Sequence, residues 1–298
     1  MGEEGASRFR YAASAMEMAC RAGMGTYLAI FLSEGWADLY KQPAPRAWEG
    51  LSFEERVEVV EAYIASIVDR ILRMGFKPVL YQVGNEIDYG ICGIFASDKR
   101  RRVEWLRRRV WRYEAEMLKS AFRSARRVDP SAVLAIHLGK WWDYNLFTPF
   151  LSTMEELDVD YDVLCISFYP SGLGAGFEVL ERVEEEESSR GVRLVVAEYA
   201  YPSGPVKGQF WFMSKQVPGY PMTPEGQAVW VKDFISYCRK LGVYGAFYWS
   251  PELYLPRMRR REDPGPPEMP LGFGWEPMAL FDEEGVAKPG INSLNPIV

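Results

Sequence analysis

Two glutamates stand at the ends of apolar segments, where parallel-strand proteins place reactive side chains. Glu86 follows the segment Tyr81-Gln82-Val83-Gly84-Asn85, and Glu198 directly follows Leu194–Ala197. An ionised side chain is costly to bury beside such segments unless it has a purpose. Two carboxyl groups about 5 to 5.5 Å apart can hydrolyse a glycosidic bond with retention, one as nucleophile and one as acid/base. The alternative is that these are two unrelated structural glutamates paired with arginines.

Aromatic residues accompany the same segment ends. They are Trp141-Trp142, Tyr169, Tyr199, Tyr201 and Tyr248-Trp249. Sugar rings offer apolar faces that stack on aromatic side chains, and hydroxyl groups that bond to polar neighbours. Because aromatic residues are also common in barrel cores, each one is weak evidence, but the set as a whole favours a carbohydrate ligand.

The elements that must position these side chains alternate between short apolar segments and segments of helical period. The apolar segments are Tyr27–Leu32, Val79–Val83, Val133–Leu138, Val163–Phe168, Leu194–Ala197 and Gly245–Trp249. This rhythm predicts parallel strands joined by helices. Ser52 with Glu55 forms a capping box that begins one helix, which Gly75 ends. Thr223 with Pro224 begins another, which ends at Gly242. No low-complexity linker interrupts the pattern, so residues 1–298 are predicted to form one domain.

Composition excludes several classes of function. The 35 Lys and Arg against 41 Asp and Glu leave a net charge of −6, which disfavours nucleic acid as a partner. The basic run between Lys99 and Arg112 is interleaved with Glu104, Glu114 and Glu116, which predicts a solvated helix face. The run Glu184–Glu187 likewise predicts an acidic helix surface.

The sequence has no motif typical of a metal site, a dinucleotide-binding site or a membrane-spanning segment. The four cysteines form no C-x-x-C pair, and His137 is the only histidine. The stretch Gly172–Gly176 has Phe177 where a dinucleotide fingerprint needs its third glycine, so a turn is favoured. No run of 18 apolar residues is present, and no signal peptide is visible. We therefore expect no cofactor, no metal and no membrane span.

Several motifs resemble, in order, those of the endo-β-1,4-galactanases of glycoside hydrolase family 53. These motifs are Trp36-Ala37-Asp38 with Lys41-Gln42-Pro43 and Trp48, Gln82–Ile87, Tyr161-Asp162-Val163, Ser167–Pro170, Glu198–Pro202, Tyr248-Trp249 and Ala279–Asp282. The matches run from about residue 15 to the C-terminus. The Asn85-Glu86 pair alone is similar to the larger clan of retaining barrel glycosidases.

The resemblance implies a (β/α)8 TIM barrel and a role for each matched residue. Glu86 would be the acid/base and Glu198 the nucleophile. The implied substrate-binding residues are Asn85, Trp36, His137, Tyr169 and Trp249. Among these, Asn85 would form a hydrogen bond with the sugar 2-hydroxyl, and Tyr169 would hold the nucleophile Glu198 in position. The ring of Trp249 would form the base of the subsite where cleavage occurs. For His137 a purely structural role, with its ring nitrogens hydrogen-bonded inside the protein, is an equal alternative to a substrate contact.

The chain departs from the family pattern in two places that bear on substrate and fold. Phe31-Leu32-Ser33-Glu34 stands where the family has His-Tyr-Ser-Asp, so a substrate-facing histidine is absent and glycan preference is open. The loop Pro251–Gly274, where some members hold calcium, offers Glu252, Glu262, Asp263 and Glu268 without ligand spacing.

The N-terminal segment also departs from the family. Ala6–Ala22 is predicted to be a helix before the third strand, so barrel strands 1 and 2 and the family's arginine beside the nucleophile have no counterpart. Such an N-terminally incomplete barrel would expose two strand edges. Two expectations stay open: the sequence is a fragment, or has a misassigned start, of a longer protein, or the edges are covered by self-association or by a second chain.

The expected function is retaining hydrolysis of β-1,4-galactosidic bonds in galactan or arabinogalactan. Two alternatives stay open: a clan relative acting on a different β-glycan, and an inactive carbohydrate-binding remnant. The resemblance suggests an extracellular enzyme, because polysaccharides lie outside the cell.

Overall fold

The computed structural model describes residues 3–252, 274–282 and 284–294. The chain divides into two compact units, one made of Ala13–Ser167 with Arg190–Arg193 and the other of the described residues among 1–12, 168–189 and 194–298. The strands are β1 (Tyr27–Ile30), β2 (Leu80–Val83), β3 (Gly90–Ile91), β4 (Ile94–Phe95), β5 (Leu134–Leu138), β6 (Val163–Phe168), β7 (Arg193–Tyr199) and β8 (Gly245–Tyr248). The α-helices are α1 (Glu3–Arg21), α2 (Phe53–Arg73), α3 (Val103–Leu106), α4 (Arg112–Val128), α5 (Tyr144–Glu156), α6 (Pro170–Leu173), α7 (Val179–Ser189) and α8 (Pro224–Leu241).

The six predicted strands are present, each within two residues of its expected ends. In the unit that contains Ala13–Ser167, β1 pairs with β2, β2 with β5 and β5 with β6, all in parallel. In the other unit β7 pairs in parallel with β8, with an irregularity between Val196 and Tyr199. The small β3–β4 pair is antiparallel. The predicted N-terminal helix is confirmed as α1, while the absence of barrel strands 1 and 2 stays a prediction.

Helix α2 begins and ends as its sequence predicts. The Ser52 side chain accepts a hydrogen bond from the Glu55 amide, and the Glu55 carboxylate accepts one from the Ser52 amide. Its buried residues Val60, Ile64, Val68 and Ile71 recur at helical spacing. The helix packs against α4. The chain leaves it at Gly75, whose φ of +81° favours glycine.

The basic segment before α4 does not form the single solvated helix face that was predicted. Arg107–Trp111 forms a π-helical segment between α3 and α4. Such a segment inserts an extra residue and rotates the residues that follow. Glu114 is consequently buried, and among the described residues neither of its carboxylate oxygens has a hydrogen-bond partner. Desolvation raises its pKa well above the ordinary value.

The acidic run of α7 also departs in part from the predicted surface. Glu187 is fully buried, whereas Glu185 is exposed. Leu180, Val183 and Glu187 lie at positions i, i+3 and i+7, which form one face of the helix. The helical period therefore turns one carboxylate of the run into the interior.

The unit that contains α8 has an aromatic core. Thr223 caps α8 by accepting a hydrogen bond from the Gly226 amide at 3.1 Å, as predicted. On α8 the rings of Trp230 and Phe234 stack with centroids 4.9 Å apart. Phe168, at the end of β6, stacks on Phe234 at 5.2 Å. This packing anchors the end of β6, directly before Tyr169.

Candidate active site

Glu86 lies in a tight turn directly after β2. Gly84 has φ of +80°, and Glu86 itself is left-handed with φ 47° and ψ 57°. A Cβ at Gly84 would lie 2.6 Å from Ile87 Cγ2, so only glycine fits there. A left-handed conformation is unfavourable for a residue with a long side chain, and such strain is concentrated at functional sites.

The half-buried carboxyl group of Glu86 makes polar contacts through both of its oxygens. Ser167 Oγ, near the end of β6, lies 2.7 Å from Glu86 Oε1. The backbone amide of Leu39 donates to Glu86 Oε2 at 3.2 Å. Gly139 follows β5 and leaves room for this carboxyl group, because a Cβ there would lie 2.7 Å from Oε1.

Asn85 and His137 extend this network behind Glu86. The Asn85 Nδ2 group donates to the carbonyl oxygen of Ala37 at 3.0 Å, and Asn85 Oδ1 lies 2.8 Å from His137 Nδ1. His137 Nε2 lies 3.0 Å from Ser167 Oγ. The ring of His137 is fully buried, and desolvation lowers its pKa to about 3. His137 is therefore neutral at ordinary pH.

Three further polar residues, which sequence reasoning did not single out as site residues, support this network. Ser167 and Gln42 stood within the matched motifs without a role, and Asp88 follows the Asn85-Glu86 pair. Gln42 Nε2 donates to the carbonyl oxygen of Asn85 at 2.6 Å. The available signal was position, since Ser167 and Gln42 lie within the matched motifs and Asp88 lies two residues after Glu86.

Asp88 ties the end of β5 to the turn that carries Glu86. Its carboxylate accepts hydrogen bonds from the amides of Gly139 at 2.9 Å and Lys140 at 2.8 Å. Trp111 Nε1 donates to the carbonyl oxygen of Asp88 at 2.9 Å. Desolvation raises the pKa of Asp88 to about 6, against the lowering effect of those amides. The position of Gly139 against Glu86 thus depends on a buried carboxylate.

Exposed aromatic rings lie in the same unit. Trp36 is 53% exposed and Tyr40 71% exposed, and both belong to the loop that contains Leu39. The rings of Trp36 and Phe31 pack edge to face with their centroids 6.2 Å apart. Trp142 is 41% exposed, with Lys140 Nζ 4.1 Å from its ring centroid. These rings offer apolar faces of the kind on which sugars stack.

Glu198 lies in the other unit, one residue before the end of β7, and is partly exposed. The hydroxyl group of Tyr169 donates to Glu198 Oε2 at 2.7 Å, which is the contact that the sequence resemblance implied. Tyr169 packs edge-on against Trp275 at 6.0 Å, and Trp249 packs edge-on against the same ring at 4.3 Å. The tyrosine that contacts the carboxylate is therefore held in an aromatic cluster.

The structure thus groups the predicted site residues within each unit. Asn85, Glu86 and His137 share one network. Tyr169 contacts Glu198, and both Tyr169 and Trp249 pack against Trp275. In the described ranges no group of three or more His, Cys, Asp or Glu side chains is arranged to hold a metal ion. Of the loop acids considered above, Glu262, Asp263 and Glu268 lie outside the described residues.

The described helices include none that is long and apolar enough to cross a membrane. Cys92, Cys165 and Cys238 are buried, as expected for small apolar side chains, while Cys20 is exposed.

Comparison with known proteins identifies a family whose model matches almost the whole chain. The model of glycosyl hydrolase family 53 matches residues 2–294. A Niallia circulans protein named "Uncharacterized protein in bgaB 5'region" is 28% identical over 91% of this chain and 74% of its own length. The endo-beta-1,4-galactanase of Bacillus subtilis is 26% identical over 77% of this chain and 52% of its own length, so the chain spans about half of that relative. The solved GH53 catalytic domain of Ignisphaera aggregans has a TM-score of 0.78 and 25% identity, covering 96% of this chain and 77% of that one. These matches confirm a TIM-barrel-like fold.

Proposed function

The chain belongs to glycosyl hydrolase family 53, and on this premise we propose that it hydrolyses β-1,4-galactosidic bonds in galactan or arabinogalactan as a retaining endo-glycosidase. The Bacillus subtilis relative, named endo-beta-1,4-galactanase, supports the substrate class. The observation that carries the proposal in this chain is the contact between the Tyr169 hydroxyl and Glu198. It orients a carboxylate at the end of a parallel strand, where barrel enzymes place their reacting side chains.

In the proposed first step, Glu198 Oε1 attacks the anomeric carbon of the scissile sugar. The hydrogen bond from Tyr169 to Oε2 stabilises the carboxylate and fixes its orientation. Glu86 donates its proton to the departing glycosidic oxygen, so that the leaving sugar departs as an alcohol. In the second step Glu86 removes a proton from water, and the resulting hydroxide displaces Glu198 with overall retention.

Glu86 is placed to exchange a proton because it lies directly after β2, at the end of a parallel strand where side chains that do chemistry collect. It is half-buried, and its polar contacts include the hydroxyl group of Ser167 and the backbone amide of Leu39. Asn85, adjacent in the chain, is the residue proposed to bond the sugar 2-hydroxyl. Its side chain is 7% exposed, so this contact requires a sugar that approaches closely.

The experiment that tests the proposal is incubation with β-1,4-galactan, β-1,4-mannan, arabinan and cellulose, with measurement of released reducing ends. We expect release from galactan, and NMR of the first product should show retained configuration. Release from none of the substrates, with binding kept, would instead support a carbohydrate-binding remnant.

The roles of the glutamates have a sharper test with an activated aryl galactoside, whose leaving group needs no proton. Glu86→Ala should still form the glycosyl-enzyme, and azide should restore its turnover as the β-azide. An inverted product, with no rescue by azide, would reject both the acid/base role and retention.

A different β-glycan is the second candidate, and Phe31 is the observation that favours it. This residue stands where the family pattern has histidine, and its ring packs against Trp36. An apolar side chain, Phe31, thus stands where the family pattern has a polar histidine, beside the exposed ring of Trp36. Faster hydrolysis of mannan or cellulose than of galactan in the same panel would select this candidate.

We propose that the site of action is extracellular, because the substrate is a polysaccharide too large to enter a cell intact. We also propose that residues 1–298 act as one catalytic domain, as no linker interrupts the sequence pattern.

A further inference from the structure

Four side chains form a continuous series of hydrogen-bond contacts that ends on Glu86. Asn85 Oδ1 lies 2.8 Å from His137 Nδ1, His137 Nε2 lies 3.0 Å from Ser167 Oγ, and Ser167 Oγ lies 2.7 Å from Glu86 Oε1. Asn85, His137 and Ser167 are all buried. The number of protons available to these contacts determines which way each hydrogen bond points.

The amide group of Asn85 fixes the tautomer of His137. Because Nδ2 of Asn85 donates to the Ala37 carbonyl oxygen, the atom that faces the imidazole ring is the acceptor Oδ1. The reverse orientation would place two acceptors 3.0 Å apart. A buried neutral imidazole carries one N–H, so that proton is on Nδ1, and Nε2 has a lone pair that needs a donor.

Ser167 has a single proton for two contacts. If its hydroxyl group donates to His137 Nε2, the 2.7 Å contact to Glu86 is a hydrogen bond only when Glu86 carries a proton and donates it to Ser167 Oγ. If Glu86 is ionised, the serine proton turns to the carboxylate, and His137 Nε2 is left buried without a donor. Both contacts are satisfied together in one protonation state of Glu86.

We propose that Ser167 and His137 are positioning residues for Glu86, forming a relay whose one mobile hydroxyl proton is shared between imidazole and carboxyl group. The relay is complete only while Glu86 holds its acid proton. The inference rests on the proposed function, because it assigns the relay to the proton that Glu86 delivers. When Glu86 transfers that proton to the leaving oxygen, Ser167 rotates and donates to the new carboxylate. When Glu86 regains a proton from water, Ser167 returns to His137.

Other groups around the network also affect whether Glu86 is protonated or ionised. The Leu39 amide favours the carboxylate, because it donates to Oε2. Arg101 holds the Leu39 carbonyl oxygen at 2.6 Å. Asp88 and Lys140 lie next to Gly139, which borders the Glu86 carboxyl group. Asp88 titrates in its own right, so a test must separate its ionisation from that of Glu86.

His137 is the only histidine of the chain, so it gives unambiguous ring signals in the intact protein. We expect NMR of the wild-type enzyme labelled with ¹⁵N-histidine to show the neutral Nδ1–H tautomer at neutral pH. Raising the pH should shift the Nε2 resonance as Ser167 withdraws its hydrogen bond. The midpoint of that step should coincide with the alkaline limb of the activity profile. An Nε2–H tautomer, an imidazolium ion or the absence of a step would overturn the relay.

Variants show which group causes the pH-dependent shift of the His137 Nε2 resonance. In Glu86→Gln the Leu39 amide selects the amide oxygen, so the amide nitrogen faces Ser167 and imitates the protonated acid. The Nε2 signal should then stay at its low-pH position throughout. Ser167→Ala should move the signal to that of an unbonded nitrogen and remove the step. Asp88→Asn, the control, should keep the step. A step that persists in Glu86→Gln and disappears in Asp88→Asn would overturn the proposal.

The tautomer and its pH response are measured without substrate, so failure of the relay and failure of the proposed function are distinguishable. Azide rescue of Glu86→Ala together with an Nε2–H tautomer would reject the relay alone. The expected NMR behaviour in a protein that cleaves no β-glycan would reject the proposed function alone.

Discussion

Gly139→Ala should impair the proposed acid without altering any group that takes part in proton transfer. The new Cβ would lie 2.7 Å from Glu86 Oε1, 2.9 Å from Glu86 Cδ and 3.0 Å from Leu39 Cδ1. Ordinary contact between a Cβ and these atoms begins at 3.4 Å, so the carboxyl group must retreat by 0.7 Å relative to this Cβ (3.4 minus 2.7). Displacement of a reacting group by about 1 Å costs roughly 100-fold in rate. We therefore expect kcat on galactan to fall by about 10- to 100-fold.

The assay compares two substrates and two variants. An aryl galactoside with an activated leaving group should lose much less activity in its glycosylation step than galactan, because that step needs no acid. Gly204→Ala is the matched control, since a Cβ there meets nothing within 4 Å and neither glycine has a positive φ. It should leave both activities unchanged. Equal losses on both substrates in Gly139→Ala, with an unchanged melting temperature, would refute the placement of Glu86 against Gly139.

Three further changes test other parts of the structure. Glu198→Gln should lower turnover by several orders of magnitude with little change in melting temperature, and more than a tenth of parental activity would exclude it as nucleophile. Tyr169→Phe removes a hydrogen bond to a charged group, worth about 1.5 to 3 kcal/mol, so kcat/KM should fall by about 10- to 150-fold, with the acid limb moved to higher pH; an unchanged profile would contradict the role of the contact. Glu114→Gln should stabilise the protein at neutral pH. Since burial raises the pKa of Glu114 in the folded state, the wild type loses stability as pH rises above the ordinary value of 4.5, and urea titrations at pH 4 and pH 7 should show a smaller difference in the variant.

Features of the fold that depend on neighbours in the chain could be predicted from the sequence. The caps at Ser52 and Thr223 are formed by residues three positions apart, and the six strands are distinct apolar segments. Glu114 and Glu187 were assigned to solvated faces and are buried. For Glu114 the reason is the π-helical turn before α4, which is not visible in residue types. For Glu187 it is the helical period itself, which a run of like charges obscures.

The site residues that lie within a recognisable family motif could be predicted from the sequence. The pairing of Tyr169 with Glu198 followed from the resemblance, and so did the selection of Asn85 and His137. The contact between Ser167 and Glu86 did not, because it joins side chains 81 positions apart on β6 and after β2. Such a contact depends on the register of strands across the sheet, and the sequence carries no mark of that register.

The loop between Trp36 and Gln42 offers main-chain groups to Glu86 and Asn85. Leu39 offers its amide to Glu86, and Ala37 offers its carbonyl oxygen to Asn85, while the rings of Trp36 and Tyr40 are exposed to solvent. Any residue other than proline supplies the same amide at position 39. The identities of the two exposed side chains can therefore change under selection, or in a designed library, while the polar contacts to Asn85 and Glu86 are retained. A lineage could thus move from one polysaccharide to another by substitutions on the outer side of a single short loop.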